Sequence, residues 1–255
     1  MIKVAAIADV HFSEDSRGTL RAHWSRLHEV ADILLIAGDL TTHGAPKQAA
    51  ILAQELEVVK IPIIAVLGNH DYHIDQEDQV RRELERRGVT VLEGEHATFT
   101  VNQETVGIAG TKGFGGGFAG ASGSAFGEPE MKSFIYHTEQ LALQLEESLH
   151  VLQVDYRIAL LHYSPVKETL AGERLEIYPF LGSYLLAEAI DTAGADLVVH
   201  GHAHHGSEKG LTARGIPVRN VALPLLGSAY ALYNLEKASL VSLLPPQIGD
   251  TILND

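Results

Sequence analysis

The stretch Ile61-Pro62-Ile63-Ile64-Ala65-Val66-Leu67-Gly68-Asn69-His70-Asp71 is an apolar run that breaks at a glycine into an amide, an imidazole and a carboxylate. A short run rich in Ile and Val suits a strand buried on both faces, as in a parallel sheet covered by helices. The polar residues after it then stand at the carboxyl end of the strand, where α/β sheets bind ligands. The arrangement recurs. Residues 3–8 lead into Asp9 and His11, residues 33–37 into Gly38 and Asp39, residues 157–161 into His162, and residues 196–199 into His200, Gly201, His202, Ala203 and His204. Five such strands would bring all of these groups to one rim.

Between the runs, residues 19–31, 46–58 and 76–87 have helical spacing, with Pro46 suited to a first helical position and Gly88 to a stop. The resulting order is β-α-β-α-β. Beyond Gly88, residues 89–92, 97–101 and 105–109 predict shorter strands without helices between them, which implies a mixed sheet. Seven glycines crowd residues 113–127, residues 131–151 predict one long helix, and residues 218–223, 229–235 and 240–244 predict closing antiparallel strands. There is no repeat and no linker long enough to divide the chain into separate domains. The expected architecture is one α/β (α+β) domain over residues 1–255, a β-sandwich of two mixed sheets flanked by helices.

Composition narrows the chemistry. The 33 acidic residues outnumber the 19 basic ones, and the formal charge of −14 argues against a polyanionic partner such as nucleic acid. The absence of cysteine excludes disulfides, a thiol nucleophile and thiolate metal sites, so a metal would take oxygen and imidazole ligands, which 14 histidines can supply. No apolar run approaches the roughly 20 residues that cross a bilayer, and the first residues lack a signal-peptide pattern, so no membrane association and a cytoplasmic location are expected. Carboxylate, imidazole and amide oxygen together suit Mn, Fe, Zn or Co ahead of Ca. Gly38, Gly68 and Gly201 are expected to let the backbone turn sharply and approach an ion.

Taken in order, Asp9-Val10-His11, Gly38-Asp39, Gly68-Asn69-His70-Asp71, His162 and Gly201-His202-Ala203-His204 resemble the five motifs of the metallophosphoesterase (calcineurin-like phosphoesterase) superfamily. The resemblance implies a four-layer sandwich and hydrolysis of a small phosphate ester through a dinuclear centre of two divalent metal ions and a bridging hydroxide. It also implies that Asp9, His11 and His204 hold one metal, that Asn69, His162 and His202 hold the other, and that Asp39 bridges them. His70 would stand beside the leaving group as a general acid or charge stabiliser, with Asp71 fixing its tautomer. Two cations, two carboxylates and one hydroxide leave a local charge of about +1, which attracts a small anion despite the acidic surface.

Phosphodiesters are placed ahead of monoesters as substrates, with cyclic and other nucleotide-derived esters among the candidates. Two other readings compete. A nuclease of the same superfamily would need a basic groove, which the charge opposes. A non-catalytic scaffold would be expected to have lost ligands, and none is missing. His200 is read as a neighbour of the site rather than a ligand, and His43 and His73 as rim residues. Residues 113–127 are read either as a plain flexible loop or as a mobile flap carrying Lys112, Phe114 and Phe118 to the substrate. Nothing in the sequence sets an oligomeric state.

Overall fold

Alternate residues of the apolar runs face opposite sides of a sheet, and here both sides are covered. In the run Ile33–Ala37, Ile33, Leu35 and Ala37 enter one core while Leu34 and Ile36 enter another. This is why the strands read as continuous apolar stretches rather than as an alternation with polar residues. The computed structural model describes residues 1–236, and the strand expected at residues 240–244 lies outside them.

The chain runs β1 (Ile2–Ile7), α1 (Arg21–Trp24), β2 (Ile33–Ala37), α2 (Pro46–Leu56), β3 (Ile63–Val66), α3 (Glu77–Glu85), β4 (Val89–Val91), β5 (Glu95–Val101) and β6 (Glu104–Thr111). It continues through a small hairpin, β7 (Gly117–Phe118) and β8 (Ala121–Ser122), then α4 (Pro129–His150), β9 (Tyr156–Leu161), α5 (Tyr178–Leu181) and α6 (Tyr184–Ala193). The last described elements are β10 (Leu197–His200), β11 (Lys209–Leu211), β12 (Pro217–Asn220), α7 (Leu223–Leu226) and β13 (Ala231–Leu235).

Two large sheets result, in the orders β13-β1-β2-β3-β4 and β11-β12-β10-β9-β6-β5. Both are mixed. The first is parallel from β1 to β4 with β13 antiparallel on its edge, and the second is parallel from β12 to β6 with β11 and β5 antiparallel on its edges. Their inner faces meet in a core that includes Val4, Leu35, Val66, Ile108, Leu160 and Val199. Helices α2 and α3 cover the outer face of the first sheet through Leu52, Leu56, Val80 and Leu84. Helices α4 and α6 cover the second through Leu145, Leu149, Leu186 and Ile190. The layers are therefore helix, sheet, sheet, helix. At the end where β1 finishes the sheets are stitched together: the Ala8 amide donates to the Val221 carbonyl and the Leu223 amide to the Ala8 carbonyl, both at 2.9 Å.

Three sequence expectations are corrected. Residues 19–31 form no single helix but the short α1 followed by a 3-10 turn at Leu27–Glu29, because Trp24 and Leu27 alone supply the buried anchors of these two elements. Residues 218–223 are not a simple antiparallel strand: β12 runs parallel to β10, is antiparallel only to β11, and gives way to α7 at Leu223. The start of the glycine-rich segment is not loose. A Cβ on Gly115 would stand 2.4 Å from the Pro179 carbonyl and one on Gly117 2.3 Å from that of Ala121, so these glycines serve close backbone packing. Phe118 is buried with Leu170, Leu181 and Ala203, with Tyr178 packed against them. Helix α6 carries no motif and was not anticipated. Among the described residues no helix is long and apolar enough to cross a membrane.

Because the inner core holds the two sheets face to face, Leu160→Ala, which truncates a side chain with no solvent exposure, should cost about 2–5 kcal/mol of stability. Urea unfolding monitored by circular dichroism would read this, and an unchanged midpoint would contradict the packing described.

Candidate metal centre

The turns that leave the strands are conformationally costly. Asp9, His11, Asp39 and His202 have φ of 56°, 42°, 49° and 70°, in the left-handed region that residues with a Cβ avoid. Such positions cost on the order of 1–3 kcal/mol each and persist where the surroundings over-determine them. Only three other non-glycine residues among those described, Asp75, Asn102 and Gln103, have positive φ, so the strain concentrates on the expected ligands.

The glycines before Asp39, Asn69 and His202 have a reason beyond turning. A Cβ on Gly38 would meet the His162 ring at 2.5 Å, one on Gly68 would meet the Asp39 amide nitrogen and Oδ1 at 2.2 Å, and one on Gly201 would meet Asp9 Oδ2 at 2.4 Å. Each glycine thus makes room for a candidate ligand from another strand. Gly38 alone of the three has positive φ, so the expected sharp turn holds there, and close approach explains the other two.

Two groups of potential ligand atoms result. Asp9, His11, Asp39 and His204 form one and Asp39, His162 and His202 the other, with the atoms of each group within 4.8 Å of one another. Asn69 Oδ1 lies 3.0 Å from His162 Nε2 and so joins the second group. All seven residues expected to bind metal are brought together, and Asp39 belongs to both groups. Its Oδ1 is 3.3 Å from His162 Nε2, while its Oδ2 is 3.7 Å from His11 Nε2 and 3.9 Å from His70 Nε2.

Backbone carbonyls orient the imidazoles. His162 Nδ1–H donates to the Ala37 carbonyl at 2.9 Å, which leaves Nε2 toward Asp39 and Asn69. His70 Nδ1–H donates to the Thr42 carbonyl at 2.8 Å and turns Nε2 toward Asp39. His202 Nε2–H donates to the Phe180 carbonyl at 3.2 Å, which leaves the lone pair on Nδ1 as the one it can offer. The expectation that Asp71 fixes the His70 tautomer is therefore corrected. The fully buried Asp71 carboxylate accepts from the amides of Leu40, Thr41 and Gly68 and from the Thr41 hydroxyl, at 2.6 to 3.0 Å. Its lone pairs are committed to clamping the turn after β2 to the turn after β3.

Burial sets the protonation states. It holds the His162 imidazole well below the ordinary histidine range and lowers His202 to about 3, so both rings offer lone pairs at neutral pH. Burial raises Asp9 to about 6, opposed by its hydrogen bond from His204 and reinforced by the nearby Asp39 charge. The same hydrogen bond, 3.0 Å from His204 Nε2 to Asp9 Oδ1, raises His204. Burial likewise lifts Asp71 to about 6 and lowers His11. The buried carboxylates thus lie beneath histidines that reach solvent: the His11, His70 and His204 side chains are 24%, 41% and 34% exposed and mark the open side of the site.

His200 is buried behind the site, where its Nδ1–H donates to the Gly201 carbonyl and its Nε2 accepts from the Thr169 hydroxyl, both at 2.8 Å. His43 and His73 pair at the exposed rim, ring centroids 5.7 Å apart. Sequence reasoning missed Tyr163, whose ring lies 4.4 Å from that of His202; its place next to His162 was the available signal. It also missed the carbonyls of Ala37, Thr42 and Phe180, which no side-chain motif can announce. Directed lone pairs from carboxylate, imidazole and amide oxygen fit divalent transition-metal ions.

The sequence matches the calcineurin-like phosphoesterase family over residues 2–206, a span that contains both ligand groups. No curated protein matches it. Among solved structures, the phosphopantetheinyl hydrolase of Mycobacterium tuberculosis is similar with a TM-score of 0.63 and 16% identity, over 86% of this chain and 88% of that one. The protein TT1561 of Thermus thermophilus is similar with a TM-score of 0.50 and 16% identity, over 91% and 98% of the two chains. At these identities the likeness is one of fold.

A cation entering the first group must displace the proton shared by Asp9 and His204, so it releases protons in mildly acidic solution. Metal uptake by chelator-stripped protein should therefore fall as pH drops through about 6. Dialysis followed by elemental analysis would read this, and uptake that stays flat from about pH 7.5 to 5 would contradict the shared proton.

Proposed function

This chain belongs to the calcineurin-like phosphoesterase family, and from that premise we propose that it hydrolyses phosphate mono- or diesters of small molecules, diesters ahead of monoesters, with two divalent metal ions. The observation that carries the proposal is the pair of ligand groups joined by one carboxylate, Asp39. Asp9, His11 and His204 would complete one metal site, and Asn69, His162 and His202 the other, for Mn, Fe, Zn or Co. When bound, such a pair of ions lowers the pKa of water and neutralises non-bridging phosphate oxygens. We place this activity in a single domain of residues 1–255 with a cytoplasmic location.

The protein's own groups divide the remaining work. Asp9 and Asp39 hold buried negative charge that two cations over-compensate, so a phosphate anion is drawn to the opening lined by His11, His70 and His204. His70 has its Nδ1–H committed to the Thr42 carbonyl, so a proton at Nε2 is the one it can give to a departing oxygen. Asp71 acts at a distance from the substrate by holding the turns that carry Asp39 and His70 in register.

Removing outer partners of metal ligands typically costs 10–100-fold, so Asp39→Asn, which changes the shared ligand itself, should lower kcat/KM by more than about 100-fold. Turnover of p-nitrophenyl esters with each metal in excess would test it, and undiminished hydrolysis would refute the shared role. His70→Gln should slow esters with basic leaving groups by about 100-fold or more while sparing those with acidic ones. A series of substituted phenyl esters reads the difference, and equal slowing across the series would remove the proton-donor role.

A further inference from the structure

Lys112 is the one lysine or arginine among the buried residues of the described chain, at 7% exposure. It follows β6, and its carbonyl accepts the amides of His162 at 3.1 Å and Tyr163 at 3.0 Å, which ties it to the end of β9 beside the second ligand group. The ammonium lies over three rings, 4.8 Å from the centroid of Tyr72, 5.0 Å from Phe114 and 5.5 Å from Tyr163. Two of those rings border the site: Tyr72 closes the turn that carries Asn69 and His70, and Tyr163 packs on His202. The charge is near enough to Asp39 and His162 to act on both.

The ammonium brings three N–H donors; it makes no hydrogen bond or ion pair with protein among the described residues, and Nζ is not one of the buried atoms left without a partner, so the side chain is buried while its tip keeps contact with solvent. The carboxylate that most favours its charge is that of Glu93, which is already engaged: Oε1 accepts the Leu67 amide at 2.9 Å and Oε2 the Tyr72 hydroxyl at 2.8 Å. Ring faces attract a cation but offer its N–H groups weaker partners than an anionic oxygen does. A lysine whose stem is buried beside a phosphate site and whose ammonium is bonded to no protein group can exchange water for an anionic oxygen arriving from outside.

We propose that Lys112 binds a substrate oxygen carrying negative charge beyond the two non-bridging oxygens of a plain diester, either the third phosphoryl oxygen of a monoester or a separate anionic group on a diester. This rests on the phosphoesterase reading above and narrows its substrate class to esters more anionic than a simple diester. It also gives Lys112 a place in the site's wall rather than on a mobile flap.

The test compares Lys112→Gln and Lys112→Arg with wild type on p-nitrophenyl phosphate, bis(p-nitrophenyl) phosphate, and a p-nitrophenyl nucleoside diester with and without a further phosphate on the sugar. In K112Q the loss in kcat/KM for a substrate with the extra anionic oxygen should exceed the loss for the plain diester by at least about tenfold, the size of one hydrogen bond to a charged group. The difference should appear in KM and be largely recovered in K112R. Loss confined to the monoester identifies the phosphoryl oxygen, and loss confined to the phosphorylated nucleoside diester identifies a separate group. A second readout needs no turnover: inorganic phosphate should raise the melting temperature of metal-loaded wild type more than dimethyl phosphate does, and K112Q should narrow that gap.

Equal losses on every substrate, with the gap in melting temperature unchanged, would make Lys112 a packing residue and overturn the proposal. Should the variants not fold, wild type decides. A lower KM for one of the more anionic substrates than for its plain counterpart supports the proposal, and equal KM values overturn it. A wild-type protein inert toward all of these esters would sink the phosphoesterase reading instead.

Discussion

One carboxylate faces two sets of ligands at once, and the architecture around Asp39 is arranged so that it can. Asp39 leaves the end of β2, the central strand of the first sheet, in a left-handed turn. His162 leaves β9 and the segment His200–His204 leaves β10, both inner strands of the second sheet. Packing the sheets face to face sets these ends opposite one another, and the bonds between Ala8 and residues Val221 and Leu223 hold the rims together. Missing Cβ atoms at Gly38, Gly68 and Gly201 then let the ligands nest against one another's backbone.

Polar groups gathered without an ion repel or desolvate one another, and the protein offsets this from behind. The Ala37, Thr42 and Phe180 carbonyls each hold one imidazole in a single orientation. Asp71 accepts four hydrogen bonds and makes the two adjacent turns one unit. His200 braces the Gly201 turn from the buried side, tied in through Thr169, whose hydroxyl also meets that of Ser164 at 2.9 Å. Strain of a few kcal/mol in the ligand turns is supportable because these bonds leave the turns few other conformations. The proton shared by Asp9 and His204 follows from the same crowding: a buried carboxylate beside another is raised, and the neighbouring imidazole stabilises what charge it keeps.

Much of this was legible because the strands are buried on both faces. Runs such as residues 33–37 carry no competing helical signal, and polar residues placed directly after them fall on one rim by topology alone, which is why the seven candidate ligands that the family resemblance implies stand together. What failed to show depended on tertiary contact. The break in residues 19–31 follows from two anchors, Trp24 and Leu27, and not from local propensity. Asp71 beside His70 looked like its natural partner, yet the carboxylate turns inward to the Gly68 amide of its own turn and to three donors of Leu40 and Thr41 some thirty residues away in the chain. Lys112 stood at the edge of a glycine-rich segment that composition marks as loose, whereas the start of that segment packs closely and the lysine's stem is buried among rings.

The account stands on Asp39 being common to two metal sites. Diffraction from crystals soaked in Mn²⁺, collected at a wavelength where the metal scatters anomalously, tests this most directly. Two anomalous peaks about 3.5–4 Å apart, one on each side of the Asp39 carboxylate, are the predicted result. A single peak, or peaks that do not touch Asp39, would contradict it.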